Sequence, residues 1–420
     1  MKSIIVKIIT FFKSKSFKSN VIVSITLIAL FVGIGLWIHY GFQENVTSAI
    51  LSASFGYVLA NVALFVLKVF ARVFEDRLKV FTSTKDMAKI YKNIPLKTVK
   101  LNGTECEICY KEILVNDGCR CHVQDDPDKS FELDGFIEQN YLTLFSAHAS
   151  STIENSDTIR LDDVEKIDDG EYVFHLSRST YYHSLVTNRA VDYPLSKDLT
   201  IRKYFEYGPD IHPLNQSKLS NHVGINALVF FEENGKKFVL FPQRKGDSTI
   251  SKQAITSAIA TKLNFPDDKG PITDSYLFGD CTCINQELSK RVGINVKELN
   301  KSLPNDKKIS VTTIFLGVGQ NIYEGGKPQM YYAVRLNNFM MEYLPKKHKT
   351  NTNSKLDNDK YLLCADWNTL SFNRTGEKMV FSIYKHAGNK TKKSKARKNF
   401  ERSLLCNIWH YLEYQKARNS

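Results

Sequence analysis

Two apolar stretches joined by a short turn, together running from Val21 to Leu67, constrain this chain more than any other feature. No Lys, Arg, Asp or Glu occurs between Lys18 and Glu44, or between Glu44 and Lys68, and each gap exceeds the ~20 residues that a bilayer-spanning helix needs. The pattern predicts a transmembrane helical hairpin over 21–67. Its connection, Gly41-Phe42-Gln43-Glu44-Asn45, is too short to hold a domain, so both outer ends belong on one side. Lys2, Lys7, Lys13, Lys15 and Lys18 precede the first span, Lys68, Arg72, Arg77 and Lys79 follow the second, and the turn carries only Glu44. Positive charges that flank short loops stay in the cytoplasm, so both termini and the soluble region are expected there. A signal peptide would share the basic start, but a second span follows at once and no small-x-small cleavage pattern precedes it. In the second span Ser48, Ser52, Gly56 and Ala60 recur every four residues, a stripe that lets another helix backbone approach closely, with Asn61 beside it. The partner is either the first span or a second copy of the chain.

The remaining length divides by pattern. We read 1–20 as a basic N-terminal segment that can lie at the inner leaflet, 68–95 as a helical stalk, and 96–180 as a strand-rich region. Residues 181–220 read as an extended lead-in, 221–345 as a mixed α/β domain, and 346–420 as a basic region ending in a helix. Within the stalk, Ser83 or Thr84 is placed to cap a short helix that ends before Pro95. Thr98-Val99-Lys100-Leu101 before Asn102-Gly103, and Tyr141 to Ala147, read as strands. The chain holds 57 basic against 44 acidic residues, a net charge of +13, with basic runs beside the membrane and at 346–349 and 390–398. That balance suits anionic lipid, nucleotide or nucleic acid, and charge alone does not choose. The eight cysteines are expected to be mostly reduced thiols in a cytoplasmic region. Cys106, Cys109, Cys119 and Cys121, with His122 following, have the donor types of a small zinc knuckle. However, the Cys106–Cys109 segment lacks the usual glycine, and in a strand those two thiols face opposite ways.

The clearest soluble signal is a hairpin: Ile225 to Phe231 and Lys237 to Phe241 flank a turn with Asn234-Gly235. Ser251 to Leu263 reads as a helix or irregular loop, a helix follows at about 283–292 and stops at Gly293, and strands return at Ile309 to Leu316 and Gln329 to Leu336. This order, with Gln243-Arg244 closing the hairpin and Gly293-Ile294 closing the helix, resembles a Nudix hydrolase domain over about Asn221 to Leu344. The preceding Thr187-Asn188-Arg189 through Ser217 to His222 looks like the lead-in of bacterial Nudix-like proteins. The resemblance implies glutamates at i, i+3 and i+4 on one helix face, holding Mg²⁺ against a diphosphate. Here only Glu287 and Leu288 keep those roles: Lys290 and Arg291 stand where the next two glutamates are expected, and the upstream Glu and Gly fall on Phe278 and Ile272. Two cations in place of two carboxylates remove the ligands and reverse the local field.

The expected fold is therefore a membrane-anchored α+β protein: an N-terminal transmembrane hairpin, a strand-rich middle and a Nudix-like mixed α/β domain that is catalytically degenerate and implies no cofactor. Such a fold on a membrane hairpin is similar to the two-transmembrane effectors of bacterial antiphage nucleotide signalling. By that analogy the partners are the inner-membrane bilayer, a nucleotide second messenger and further copies of the chain through the spans. Candidate ligand contacts are Asn221, Arg244, Lys245, Glu287, Lys290 and Lys327, where cations meet phosphate oxygens. Two other readings stay open: a membrane-bound hydrolase using Asp274 or Asp280 with Glu287, and a non-enzymatic membrane-anchored scaffold.

Overall fold

The computed structural model describes residues 83–148, 155–196, 198–243, 254–266, 270–344, 361–387 and 390–419. The expected membrane hairpin and its packing residues Ser48, Ser52, Gly56, Ala60 and Asn61 lie outside them. Among the described residues no helix is long and apolar enough to cross a membrane. Lys79–Ser146 and Ile153–Ser420 cluster as one compact unit, which is a mixed α+β structure built on a ten-stranded sheet.

The chain enters through α1 (Thr84–Ile90), capped by the Ser83 side chain on the Asp86 N–H as the sequence predicts. A hairpin of β1 (Leu96–Leu101) and β2 (Thr104–Cys109) follows, and its turn is made by Asn102 and Gly103, both at positive φ. β3 (Lys111–Val115) leaves it for the edge of the large sheet, and β4 (Arg120–Ser130) begins a second, three-stranded sheet. The expected strand at Tyr141 to Ala147 is instead a helix, α2 (Tyr141–Ser146). Its aromatic rings explain the difference: Tyr141 and Phe145 stack at 5.9 Å, a contact that i,i+4 helical spacing makes and strand spacing does not. β5 (Asp157–Asp168) and β6 (Glu171–Thr180) complete the small sheet in the order β4-β6-β5.

The large sheet runs β13-β14-β12-β8-β7-β11-β10-β3. Its centre is the expected hairpin of β7 (Gly224–Glu233) and β8 (Lys236–Gln243), turned by Asn234 and Gly235 with φ of 51° and 69°. β8 pairs with β7 only over Phe230–Glu233 before turning to β12 (Tyr361–Asp366). The backbone groups of Gly224–Ala227 are taken instead by β9 (Ile259–Lys262), the part of Ser251 to Leu263 read from sequence as helix or loop. After α3 (Asp274–Leu277) and α4 (Thr282–Glu287), the chain makes one π turn over Leu288–Val292 and stops at Gly293, φ 76°. β10 (Ser310–Asn321) and β11 (Lys327–Asn337) then form an antiparallel pair, and β11 runs parallel to β7. β13 (Ser371–Phe372), β14 (Met379–Ala387) and β15 (Lys390–Lys398) extend the far edge. The basic run at 390–398 is thus an edge strand.

Both faces of the sheet are covered, and for that reason β7 is apolar at nearly every position. Ile225, Ala227, Val229 and Phe231 face a core shared with β5, β6, α3 and α4, while Leu228 and Phe230 face the C-terminal helix α5 (Arg402–Asn419). That helix buries Leu404, Leu405, Ile408 and Trp409, as their spacing predicts.

A buried ion pair within the lead-in, Arg202–Asp192, also reaches Tyr91 and the turn between β10 and β11. Arg202 donates from Nε and Nη2 to the two Asp192 oxygens at 2.6 and 2.9 Å, from Nη1 to the Tyr91 hydroxyl at 2.7 Å and the Ile322 carbonyl at 2.8 Å, and from Nη2 to the Tyr323 carbonyl. Burial works against the guanidinium charge, but Asp192 and Tyr91 more than offset it and its pKa rises. Removing one partner leaves the other charge buried and unpaired. Arg202→Met is therefore expected to lower the unfolding free energy of the chain by about 3–5 kcal/mol in urea denaturation.

Candidate functional site

The site is assembled where the lead-in crosses from the small sheet to the large one. Ile159 and Leu161 of β5 face the core, so Arg160 between them faces the other way, and it forms an antiparallel bridge with His222. The Val223 N–H donates to the Ile159 carbonyl at 2.9 Å, which hands the chain from β5 to the start of β7. Asn221 takes a left-handed conformation, φ 46°, which asparagine tolerates better than most residues. Its Oδ1 accepts from Asn188 Nδ2 at 3.1 Å, and its N–H donates to Asn188 Oδ1 at 2.9 Å. Asn188 also donates to the Glu324 carbonyl in the β10–β11 turn. Ser179 and Ser220 share a hydroxyl hydrogen bond at 2.9 Å, which closes the lower wall.

Buried polar groups normally have hydrogen-bond partners, so the exceptions carry information. Among the described residues they fall in two places. Thr158 Oγ1, Arg160 Nε, Arg189 Nε, Asn221 Nδ2 and His222 Nδ1 lie together around this crossing, and the others lie under α5. The Tyr181 ring joins the group, 5.6 Å from the Arg189 guanidinium and 6.1 Å from the His222 ring. Three of the five atoms, those of Arg160, Arg189 and Asn221, can only donate.

The surroundings are electropositive. Burial, followed by Lys327, Arg189 and Lys262, pushes the His222 pKa well below the usual histidine range, so the ring is neutral at pH 7. Lys327 is itself buried, with the Glu324 carboxylate 3.7 Å away, and burial lowers its pKa to about 8 despite that partner. A cavity of about 420 Å³ adjoins the cluster, lined by Lys129, Phe131, Arg160, Ser177, Ser217 and Lys218 among others. Arg160 stands between cavity and cluster: it lies over the Phe131 ring at 5.1 Å, pairs with Asp162, and has its pKa lowered to about 10 by burial. Asp162 also takes the Ser177 hydroxyl at 3.0 Å and Lys129 at 2.9 Å.

Of the residues expected from sequence, Asn221 and Lys327 belong to this cluster. Arg244 and Lys245 lie outside the described residues. Glu287 is buried at the end of α4, where Arg291 Nε donates to one oxygen at 3.0 Å and Asn264 Nδ2 to the other at 2.9 Å. Arg291 also donates to the Thr261 hydroxyl of β9 at 3.3 Å, so the hydrogen-bonded neighbours of Glu287 are Arg291 and Asn264 and not Asn221 or Lys327. Lys290 is exposed on the π turn. Asp274 is engaged by the Val123 N–H at 2.6 Å and by His122 at 3.0 Å. The zinc knuckle is not assembled: Cys106 packs toward the core under α5, Cys109 packs on the other side of β2 against Met87, and Cys119 and Cys121 lie on the small sheet. Among the described residues no three His, Cys, Asp or Glu side chains are grouped to hold a metal ion.

No family model and no curated protein matches the chain. Arg160 and Thr158 had no signal in the sequence, since they sit in an ordinary alternating strand. Arg189 and His222 lie inside the two segments that carry the Nudix-like lead-in pattern, but their convergence depends on the fold.

Lys327 gives a pH signature. Its folded pKa lies below the 10.5 of an exposed lysine, so between about pH 8 and pH 10.5 the unfolded chain binds more protons and stability rises with pH. Lys327→Met is expected to flatten that rise and to stabilise the chain at pH 7 by up to roughly 3 kcal/mol. Paired denaturation curves across the window check this, and Lys237, also lowered to about 8 by burial, cancels between the two chains.

Proposed function

We propose that this chain is a membrane-anchored nucleotide sensor whose ligand phosphates are received by Arg160, Arg189, Asn221, His222 and Lys327. The observation that carries this reading is the convergence of buried polar atoms without a partner, three of them donors, with several cations at one crossing of the fold. A buried donor without a partner costs about 1–3 kcal/mol, and a ligand with many acceptor oxygens recovers that cost on binding. Charge-assisted hydrogen bonds to phosphate are the stronger kind. Glu287 supports binding without turnover, since both of its oxygens are committed to Arg291 and Asn264. The fold is read as a degenerate Nudix-like domain, and the output as assembly of the N-terminal hairpins and disruption of a bacterial inner membrane in antiphage defence.

Ligand binding drives such an output only through its different affinity for the two assembly states. Isothermal titration of the full chain in detergent, against linear and cyclic nucleotides, tests the first step. Binding of at least one nucleotide is expected, weakened about tenfold or more by Arg189→Ala and little changed by Glu287→Gln. No binding across the panel would remove the reading. Gly56→Leu is expected to abolish assembly and toxicity while leaving nucleotide affinity within about twofold of wild type.

A further inference from the structure

Cys119 and Cys121 stand apart from the other cysteines. Their Sγ atoms are 3.8 Å apart, and both residues are partly exposed, whereas Cys106, Cys109, Cys281, Cys283, Cys364 and Cys406 are buried. Cys121 lies within β4, paired with Tyr172 of β6. Cys119 lies one residue before the strand and follows Gly118, φ 110°, where a side chain would meet only open space. Asn116 ties the start of this turn to β10, through its N–H to the Leu316 carbonyl at 2.9 Å and its Nδ2 to the Phe315 carbonyl at 2.6 Å. Within the turn the Gly118 N–H and the Cys119 thiol both donate to Asn116 Oδ1, at 3.0 and 3.7 Å, which holds the Cys119 sulfur beside that of Cys121.

We propose that Cys119 and Cys121 are a redox-active dithiol, with Cys119 the attacking thiol and Cys121 the resolving one, that closes to a disulfide against a disulfide oxidant of the glutathione class. The Cys119 thiolate attacks one sulfur of oxidised glutathione, forming a mixed disulfide and expelling one glutathione thiolate. Cys121 then loses its proton and attacks the Cys119 sulfur, expelling the second glutathione. Two protein thiols become one disulfide, and one oxidised glutathione becomes two reduced ones. Residues i and i+2 of an extended strand sit roughly 6.6 Å apart at Cα, near the upper limit of disulfide geometry at about 6.8 Å. Closure thus asks for a small tightening of the backbone at Arg120, the first residue of β4, whose N–H donates to the Gly170 carbonyl at 2.7 Å.

The thiol chemistry agrees with this assignment of roles. The hydrogen bond from Cys121 lowers the Cys119 pKa, with burial opposing it, and the same contact with burial pushes Cys121 up. Burial raises all six of the other thiols. A lowered, accessible thiol beside a resolving partner is the arrangement that reacts first.

The test is oxidation of the full chain in detergent with oxidised glutathione, followed by alkylation and peptide mass analysis. The expected result is the loss of two hydrogen masses, confined to the peptide that contains Cys119 and Cys121. Cys121→Ser should stop at a glutathione adduct on Cys119, and Cys119→Ser should slow the first reaction by about tenfold or more. Cys364→Ser should leave both unchanged. A first adduct on any other cysteine, a disulfide that pairs either residue elsewhere, or no oxidation of the pair before the buried thiols react would overturn the proposal.

Discussion

The Arg202–Asp192 pair is the buried contact through which the lead-in meets two other parts of the compact unit. The lead-in contains only short helices and turns and contributes no strand to the sheets, so its place is set by buried side chains and by hydrogen bonds of this kind. The guanidinium gathers three separate parts of the chain: Asp192 of the lead-in, Tyr91 after α1, and the carbonyls of Ile322 and Tyr323 between β10 and β11. A buried pair of this kind is a poor source of net stability, because desolvation consumes much of the attraction. Its value here is positional. It sets where Asn188 and Arg189 lie, a few residues upstream of Asp192, and hence where the donors of the candidate site converge.

That convergence has a physical cost that the surrounding fold carries. Lys327, Arg189 and Lys262 approach a histidine held neutral by burial and by their combined charge. Nearby acids balance the cations only in part: Asp162 serves Arg160 and Lys129, and Glu324 serves Lys327. The helix Thr282–Glu287 and the π turn after it differ from what the resemblance implies. Where the resemblance expects a row of carboxylates, a single glutamate is locked between an arginine one turn on and an asparagine from the preceding loop. Chemistry based on acidic metal ligands and chemistry based on cationic anion receipt need opposite local fields. This chain has the second field at the lead-in crossing.

Elements with strong local signals were legible in the sequence. The Asn234-Gly235 hairpin, the Ser83 cap, the stop at Gly293 and the buried face of α5 each follow from a residue type whose backbone or burial preference leaves few alternatives. The two misreadings have different causes, one local and one distant. Tyr141–Ser146 has strand-like composition, but its rings pair one helical turn apart. Ile259–Lys262 has small residues and no clear period, yet it is a strand because β8 leaves half of β7 unpaired.

The sequence by itself determined the two long uncharged stretches and their basic flanks, the apolar runs that build the central hairpin, and the replacement of acidic residues by Lys290 and Arg291. These are properties of composition and spacing, and no fold is needed to express them. Only the tertiary structure decided which polar residues meet. Asn221 and Lys327 join Arg160, Arg189 and His222, whereas Glu287 does not, because contacts between residues far apart in sequence are set by sheet order and by the buried ion pair that positions the lead-in. Donor, acceptor and charge are written in the residue type, but whether a group finds a partner depends on what the fold places beside it.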